Sequence, residues 1–215
     1  MIIRVMIIRV MIIRVMFIRV MFIRVMFISE LAVNRRNILT CLCGLAMSGS
    51  VSRVGAKPKV SLADIPLSVH EAAMRKAIAA AKGNPVYPFG AVITKASTGE
   101  LMASGVNAAG SNPTYHGEIA CINNYITRHG NKGWDEMILY TTGEPCAMCM
   151  SALCWSGVGG VVYASSIATI GKAGMGQISI SAKDVIAAAN FWNPDLLGGV
   201  LADECDAMFM NRQRN

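Results

Sequence analysis

The stretch Pro145-Cys146-Ala147-Met148-Cys149, taken together with His116-Gly117-Glu118, predicts a metal centre around which the chain is arranged. A CxxC pair at the start of a helix places two sulfurs on neighbouring turns, and the free backbone N–H groups there favour the thiolate form. A histidine adds a nitrogen ligand. Three protein ligands with an open fourth position are typical of catalytic zinc, whereas structural zinc is usually closed by four. Glu118 lies two residues after the histidine, close enough to reach a metal-bound water without being a ligand itself.

Further segments extend this pattern into a resemblance to the zinc-dependent deaminases of the cytidine deaminase superfamily, which carry H-x-E followed by P-C-x-x-C. Residues 88–93 (Pro-Phe-Gly-Ala-Val-Ile) resemble the first strand of that family, and residues 112–118 are similar to its D-P-T-A-H-A-E. Residues 139–149 are similar to its L-Y-T-x-x-E-P-C-x-M-C. The resemblance runs from about Ser68 to Phe209, with the motifs in the family's order.

The resemblance implies a hydrolase that acts on the C–N bond of a cyclic amidine in a nucleobase or nucleoside. His116, Cys146 and Cys149 would hold a Zn²⁺ ion, which lowers the pKa of water from its bulk value toward about 7. Glu118 would take the water proton, deliver it to a ring nitrogen and later protonate the leaving amine, which is general acid–base work by one carboxyl group.

The resemblance also implies substrate contacts. Asn107 matches an asparagine that hydrogen-bonds the base, Phe89 matches a residue that packs on the ring, and the backbone N–H of Gly117 would face the substrate. For Phe89, a structural role as a core aromatic is an open alternative. Trp155 lies in a C-W-S-G segment that resembles the Y-W-A or I-W-S of guanine deaminases more than the I-H-S of tRNA adenosine deaminases. For Trp155, burial in the core is the alternative.

The distribution of charge bears on the choice of substrate. The net charge is +7, from 20 basic and 13 acidic residues; residues 1–56 contain eight Arg and one acid, which leaves 12 of each sign in residues 57–215. Proteins that bind nucleic acid need a basic surface to neutralise phosphates. This balance of charge therefore favours a small-molecule substrate such as a guanine-like purine. Deamination of adenosine to inosine in tRNA is the alternative within the family.

Two readings outside the family remain open for the CxxC pair. A closed structural zinc site would need a fourth ligand, for which Cys121 or Cys154 could be proposed. A redox CxxC protein is the other, although the H-x-E element has no redox role. For Cys121, Cys154 and Cys205 we favour the interpretation that they are small buried apolar residues.

Strands that alternate with helices predict a three-layer α/β/α domain with a mixed central sheet of about five strands. The capping-box pattern at Ser68 and Glu71 predicts a helix to Lys82, with His70 as a surface or capping residue. The other predicted elements are a hairpin of 89–95 and 101–106, helices 113–129, 146–155, 181–190 and 203–211, and strands 137–141, 158–164 and 197–201. Residues 165–180 give no clear pattern, and His129 is expected to cap the end of its helix.

The first 56 residues divide into two parts. Residues 1–28 are a tandem pentapeptide, whose period of five fits neither a helix nor a strand, and we expect them to be disordered or not native. Residues 29–56 resemble an export signal with a twin-arginine pair at Arg35-Arg36, which favours export to the periplasm over a cytoplasmic location. The arginine in every pentapeptide argues against a membrane span within residues 1–28. The deaminase domain is then 57–215, and the resemblance implies a homodimer.

Overall fold

The alternation of strands and helices predicted from the sequence is present in the computed structural model, which describes residues 60–214. The strands are β1 Gly90–Lys95, β2 Leu101–Val106, β3 Met137–Gly143, β4 Gly160–Ser165 and β5 Asp195–Gly198. The helices are α1 Leu67–Ala81, α2 Gly117–His129, α3 Ala147–Ser156, α4 Ile167–Lys172, α5 Ala182–Ala188 and α6 Ala202–Met210. The predicted repeat 1–28 and export segment 29–56 lie outside the described residues.

The five strands form one mixed sheet in the order β2-β1-β3-β4-β5, which confirms the predicted fold class. β1 pairs antiparallel with both β2 and β3, whereas β3, β4 and β5 are parallel. Successive residues of a strand face opposite sides, so that Ile138 and Tyr140 of β3 contribute to one core and Leu139 to the other.

Each face of the sheet is covered by helices. The first core contains side chains of α1, α4 and α6, and the second contains those of α2, α3 and α5. Cys121, Cys154 and Cys205 are buried in these cores, which confirms that they are small buried residues. Within residues 60–214, no helix combines the length and apolar character needed to cross a membrane.

Several predicted boundaries are wrong for local reasons. The N-cap of α1 is Pro66, and no side chain forms the predicted capping box. α2 begins at Gly117 and not at Pro113, because the Oδ1 atom of Asn112 accepts the backbone N–H of Thr114 and holds that stretch in a turn.

The C-terminal boundaries also differ from the prediction. Residues 165–180, which give no clear sequence pattern, contain the short helix α4. The last strand begins two residues earlier than predicted and ends three residues earlier, at Gly198, because Gly199 and Leu201 have left-handed φ angles of 87° and 55°.

His70 is not the predicted surface or capping residue. It is buried on the face of α1 that packs on the sheet, where Nδ1 lies 3.0 Å from the Tyr140 hydroxyl and Nε2 lies 3.0 Å from the Leu62 carbonyl. His129 also differs from the prediction, because its Nε2 contacts the carbonyl of Met102 in β2 and not the end of its own helix. Both imidazoles therefore join separate elements of the fold.

We expect His70→Phe to lower the free energy of unfolding by about 1–3 kcal/mol, because it removes one hydrogen bond from the buried Tyr140 hydroxyl and one from the Leu62 carbonyl. Urea unfolding of the two proteins measures this loss. Glu71→Ala, on the exposed side of the same helix, is the matched control and should change stability by less than about 0.5 kcal/mol. Equal stability of His70→Phe and the parent chain would contradict the role given to this imidazole.

Candidate metal centre and active site

Two helices begin at the predicted metal ligands. His116 is the N-cap of α2 and Cys146 is the N-cap of α3, both with an extended backbone (φ −66°, ψ 165° and φ −62°, ψ 166°). Cys149 lies in the first turn of α3. The N-termini of both helices therefore meet at the same point, where their unpaired N–H groups favour anionic ligands.

The three ligand atoms form a compact group. The Nδ1 atom of His116 lies 3.6 Å from the Sγ atoms of both Cys146 and Cys149, and all three atoms are within 4.8 Å of one another. In the part of the chain that the structure describes, neither Cys121 nor Cys154 joins this group. One imidazole nitrogen and two sulfurs are a donor set that suits Zn²⁺ and leaves one of four tetrahedral positions for water or substrate.

The protonation of the two thiols also fits a divalent cation. The hydrogen bond from Cys149, with a further one from His116, lowers the pKa of Cys146 to about 4. The same hydrogen bond and burial raise the pKa of Cys149 above its usual range. Two thiols in contact thus retain one proton between them, and a metal ion would displace it to hold both as thiolates.

Glu118 is placed beside this group on the first turn of α2. Its side chain is buried, and this burial raises the pKa of its carboxyl group above the usual range. The hydroxyl of Thr141 lies 3.5 Å from Oε1, at the end of β3. A carboxyl group whose pKa is raised can exchange a proton near neutral pH, as a general acid–base catalyst requires.

Asn107, Phe89 and Gly117 meet at one point next to His116. The backbone N–H of Asn107 donates to the carbonyl of Phe89 at 2.9 Å, and a Cβ atom on Gly117 would lie only 2.6 Å from that carbonyl oxygen. The side-chain oxygen of Asn107 accepts the N–H of Ala109 at 3.1 Å. The amide NH₂ of Asn107 is therefore the group that it can offer to a ligand.

Phe89 has a structural role as well as a position near the site. Its half-buried ring lies 4.9 Å from the ring of Phe209 on α6, centroid to centroid. The hydroxyl of Thr142 accepts the N–H of Gly90 at 3.1 Å and donates to the carbonyl of Pro88 at 3.0 Å. These bonds attach the backbone on both sides of Phe89 to β3, while Phe209 packs on its ring.

Trp155 is not brought to the other predicted site residues. It lies in the last turn of α3, nine residues after Cys146, which is a rise of about 13 Å and a half-turn around the helix. Its side chain is 76% exposed and stacks on Phe191 with 4.2 Å between ring centroids, so the alternative of a buried core tryptophan is wrong. A substrate contact by Trp155 stays a prediction.

Three buried polar residues around the site were given no role by the sequence, although Thr141 and Glu144 lie within the matched motif. Thr141 and Thr142 end a buried strand, and Glu144 directly precedes Pro145 with its carboxylate buried. The sequence feature that could have identified these residues is the change from an apolar run to Thr-Thr-Gly-Glu at the carboxyl end of the predicted strand. That edge of a parallel sheet is where α/β proteins collect functional groups.

Comparison with known proteins finds a family whose zinc-binding region resembles the central part of this chain. The sequence profile of the cytidine and deoxycytidylate deaminase zinc-binding region matches residues 67–165, from α1 to the end of β4. This stretch contains the three candidate ligands and Glu118 on the elements described above. Residues 67–165 are therefore similar to the zinc-binding region of the cytidine and deoxycytidylate deaminases.

Individual relatives differ in how much of their length is shared. The guanine deaminase of Bacillus subtilis is 38% identical over 89 residues, which are 40% of this chain and 56% of that protein. A tRNA-specific adenosine deaminase of Rickettsia felis is 29% identical over 136 residues, which are 62% of this chain and 90% of that protein. The solved structure of guanine deaminase from Nitrosomonas europaea has the same fold, with a TM-score of 0.57, 19% identity, and coverage of 78% of this chain and 94% of that one.

We expect Gly117→Ala to lower stability by about 1–3 kcal/mol and to reduce catalytic turnover, because the added methyl group would force α2 away from the Phe89 carbonyl. Thermal unfolding and steady-state rates measure the two effects. Gly110→Ala is the matched control, since nothing lies within 4 Å of a Cβ atom there. A Gly117→Ala protein as stable and active as the parent would show that this close approach is unimportant.

Proposed function

We propose that this protein catalyses the zinc-dependent hydrolytic deamination of an amino-bearing nucleobase or nucleoside, with a guanine-like purine as the favoured substrate and ammonia as a product. The observation that carries the proposal is the imidazole–dithiol group at the two helix N-termini with the buried carboxyl group of Glu118 beside it. A closed structural site or a redox pair would have no use for such a carboxyl group.

His116, Cys146 and Cys149 would hold the zinc ion. When bound, zinc lowers the pKa of water so that hydroxide is accessible near neutral pH. Glu118 receives the proton of the attacking water and delivers it to the ring nitrogen next to the carbon under attack. The same carboxylate then takes the second proton, from the hydroxyl now on that carbon, and passes it to the amino group; the C–N bond breaks, a carbonyl forms and ammonia leaves.

The remaining residues would orient the base. The amide NH₂ of Asn107 donates to an acceptor on the ring or its carbonyl group, and the N–H of Gly117, at the open end of α2, is placed to donate as well. The ring of Phe89, held by Phe209, offers an apolar surface for stacking. Three contacts from separate elements would hold the ring in one orientation relative to Glu118.

Two features support a small purine over tRNA. Residues 57–215 contain equal numbers of basic and acidic side chains, so no net positive charge attracts phosphates. The identity to the Bacillus guanine deaminase, 38%, also exceeds the 29% to the Rickettsia tRNA-specific adenosine deaminase. Deamination of adenosine in tRNA is the second candidate, since that relative is covered over 90% of its length.

Two further proposals rest on the sequence and the resemblance. We propose that residues 29–56 direct export through the twin-arginine route, and that the protein functions as a homodimer. N-terminal sequencing of the periplasmic fraction would test the first, and a cytoplasmic uncleaved chain would refute it. Light scattering of the purified protein would test the second, and a monomer mass would refute that.

We expect Glu118→Ala to abolish turnover, by at least about 100-fold, while the protein keeps one zinc per chain, because Glu118 transfers protons and does not bind the metal. Cys146→Ala should lose both the metal and turnover. Metal analysis and ammonia release measure the two properties. Cys154→Ala on the same helix is the control and should keep its zinc; an active Glu118→Ala protein would refute the mechanism.

We expect ammonia release to be faster with guanine than with adenine, cytosine, adenosine or cytidine when all are tested at equal concentration. Binding of tRNA should be undetectable at moderate salt, because the domain has no net positive charge. Ammonia assays and gel-shift measurements provide the comparison. Deamination of tRNA together with inactivity on every free base and nucleoside would favour the second candidate.

A further inference from the structure

The carboxylate of Glu144 is buried at the turn that leads from β3 into α3, and nothing in the proposed chemistry uses it. Its Oε2 atom accepts the backbone N–H of Ile167 at 2.9 Å, and its Oε1 atom accepts that of Ala182, also at 2.9 Å. These are the first residues of α4 and α5. Its own backbone N–H donates to the carbonyl of Ser165 at 2.7 Å. One residue thus joins the end of β4 and the beginnings of two helices.

Helix capping alone does not account for this arrangement. The Oγ atom of Ser166 accepts the N–H of Thr169 at the start of α4, and that of Ser181 accepts the N–H of Asp184 at the start of α5. Each helix therefore has a side-chain cap of its own. A buried carboxylate is costly unless it is hydrogen-bonded, and the two backbone N–H groups that satisfy this one come from two different helices.

The position of Glu144 in the chain connects it to the metal ligands. Only Pro145 separates it from Cys146, and the proline ring fixes φ of that residue, which reduces the backbone freedom between Glu144 and Cys146. On the far side, Val185 and Ile186 of α5 pack against the core to which Met150 and Leu153 of α3 belong. The turn before α3 and the helix α5 that packs beside α3 are thus held through the same carboxylate.

We propose that Glu144 is a positioning residue for the metal centre: its carboxylate ties α4 and α5 to the turn that delivers Cys146, and so keeps Cys146 within reach of His116 and Cys149. The proposal rests on the proposed function, because zinc is the ion that these ligands would hold. It assigns no contact between Glu144 and the metal or the substrate.

The test is the zinc affinity of Glu144→Gln, measured by competition with a chromophoric chelator. Glutamine has nearly the same volume, but one of the two backbone N–H groups then faces an NH₂ group in place of an oxygen. We expect the dissociation constant for zinc to rise about tenfold, in line with the effect of losing groups that orient metal ligands. Urea unfolding of the metal-free proteins shows separately how far the fold itself is weakened.

The matched control is the double variant Ser166→Ala, Ser181→Ala, which removes the side-chain caps of the same two helices and leaves Glu144 intact. Its zinc dissociation constant should stay within about twofold of that of the parent chain, even though its metal-free form is less stable. If the double variant weakens zinc binding as much as Glu144→Gln does, Glu144 acts only through helix stability and the proposal is wrong.

A second variant removes the donor of one of the two hydrogen bonds to Glu144. Ile167→Pro removes the N–H that Oε2 accepts, and proline is well tolerated at the first position of a helix. We expect its zinc dissociation constant to rise about threefold, since one of the two bonds remains. Unchanged zinc affinity in both Glu144→Gln and Ile167→Pro would overturn the proposal, whereas a parent chain that binds no zinc would overturn the proposed function instead.

Discussion

The meeting of two helix N-termini at one end of the sheet is the constraint on which the site depends. His116 and Cys146 are separated by 30 positions in sequence, yet each is the N-cap of a helix that packs on the same face of the sheet. An N-cap residue has an extended backbone, so its side chain lies at the N-terminal end of the helix. The backbone N–H groups of the first turn, which have no partner within the helix, point toward the same end. Two such helix ends together stabilise thiolates, and the thiolates can in turn bind a cation between them.

A close approach of backbones adds the substrate side of the site to the metal side. The carbonyl of Phe89 accepts the N–H of Asn107 and lies where a Cβ atom of residue 117 would otherwise be. Glycine at 117 therefore allows the start of β1 to lie directly against the first turn of α2. Thr142 then attaches the same segment to β3, so three strands and a helix converge within a few residues.

Much of this could be predicted from the sequence. The spacing of His116, Glu118 and the CxxC pair predicts the metal ligands and the acid–base group. The alternation of strands and helices predicts the fold class, because both depend on short-range patterns. The errors fall where tertiary contacts override such patterns. His70 has a polar side chain on an apolar helix face, and only the positions of Tyr140 and Leu62 make its burial favourable. The start of α2 was misplaced because a side-chain turn at Asn112 competes with the helix.

The sequence by itself determined which groups can bind zinc and transfer protons, because ligand type and spacing along one helix are local properties. Only the tertiary structure decided which distant residues join them. It places Glu144 across the starts of α4 and α5 and brings Asn107 and Phe89 to Gly117, whereas Trp155 lies on the outer side of α3 against Phe191. The physical reason is that the order of strands and the close approach of backbones set these neighbours, and neither is encoded in the spacing of residues along a single element.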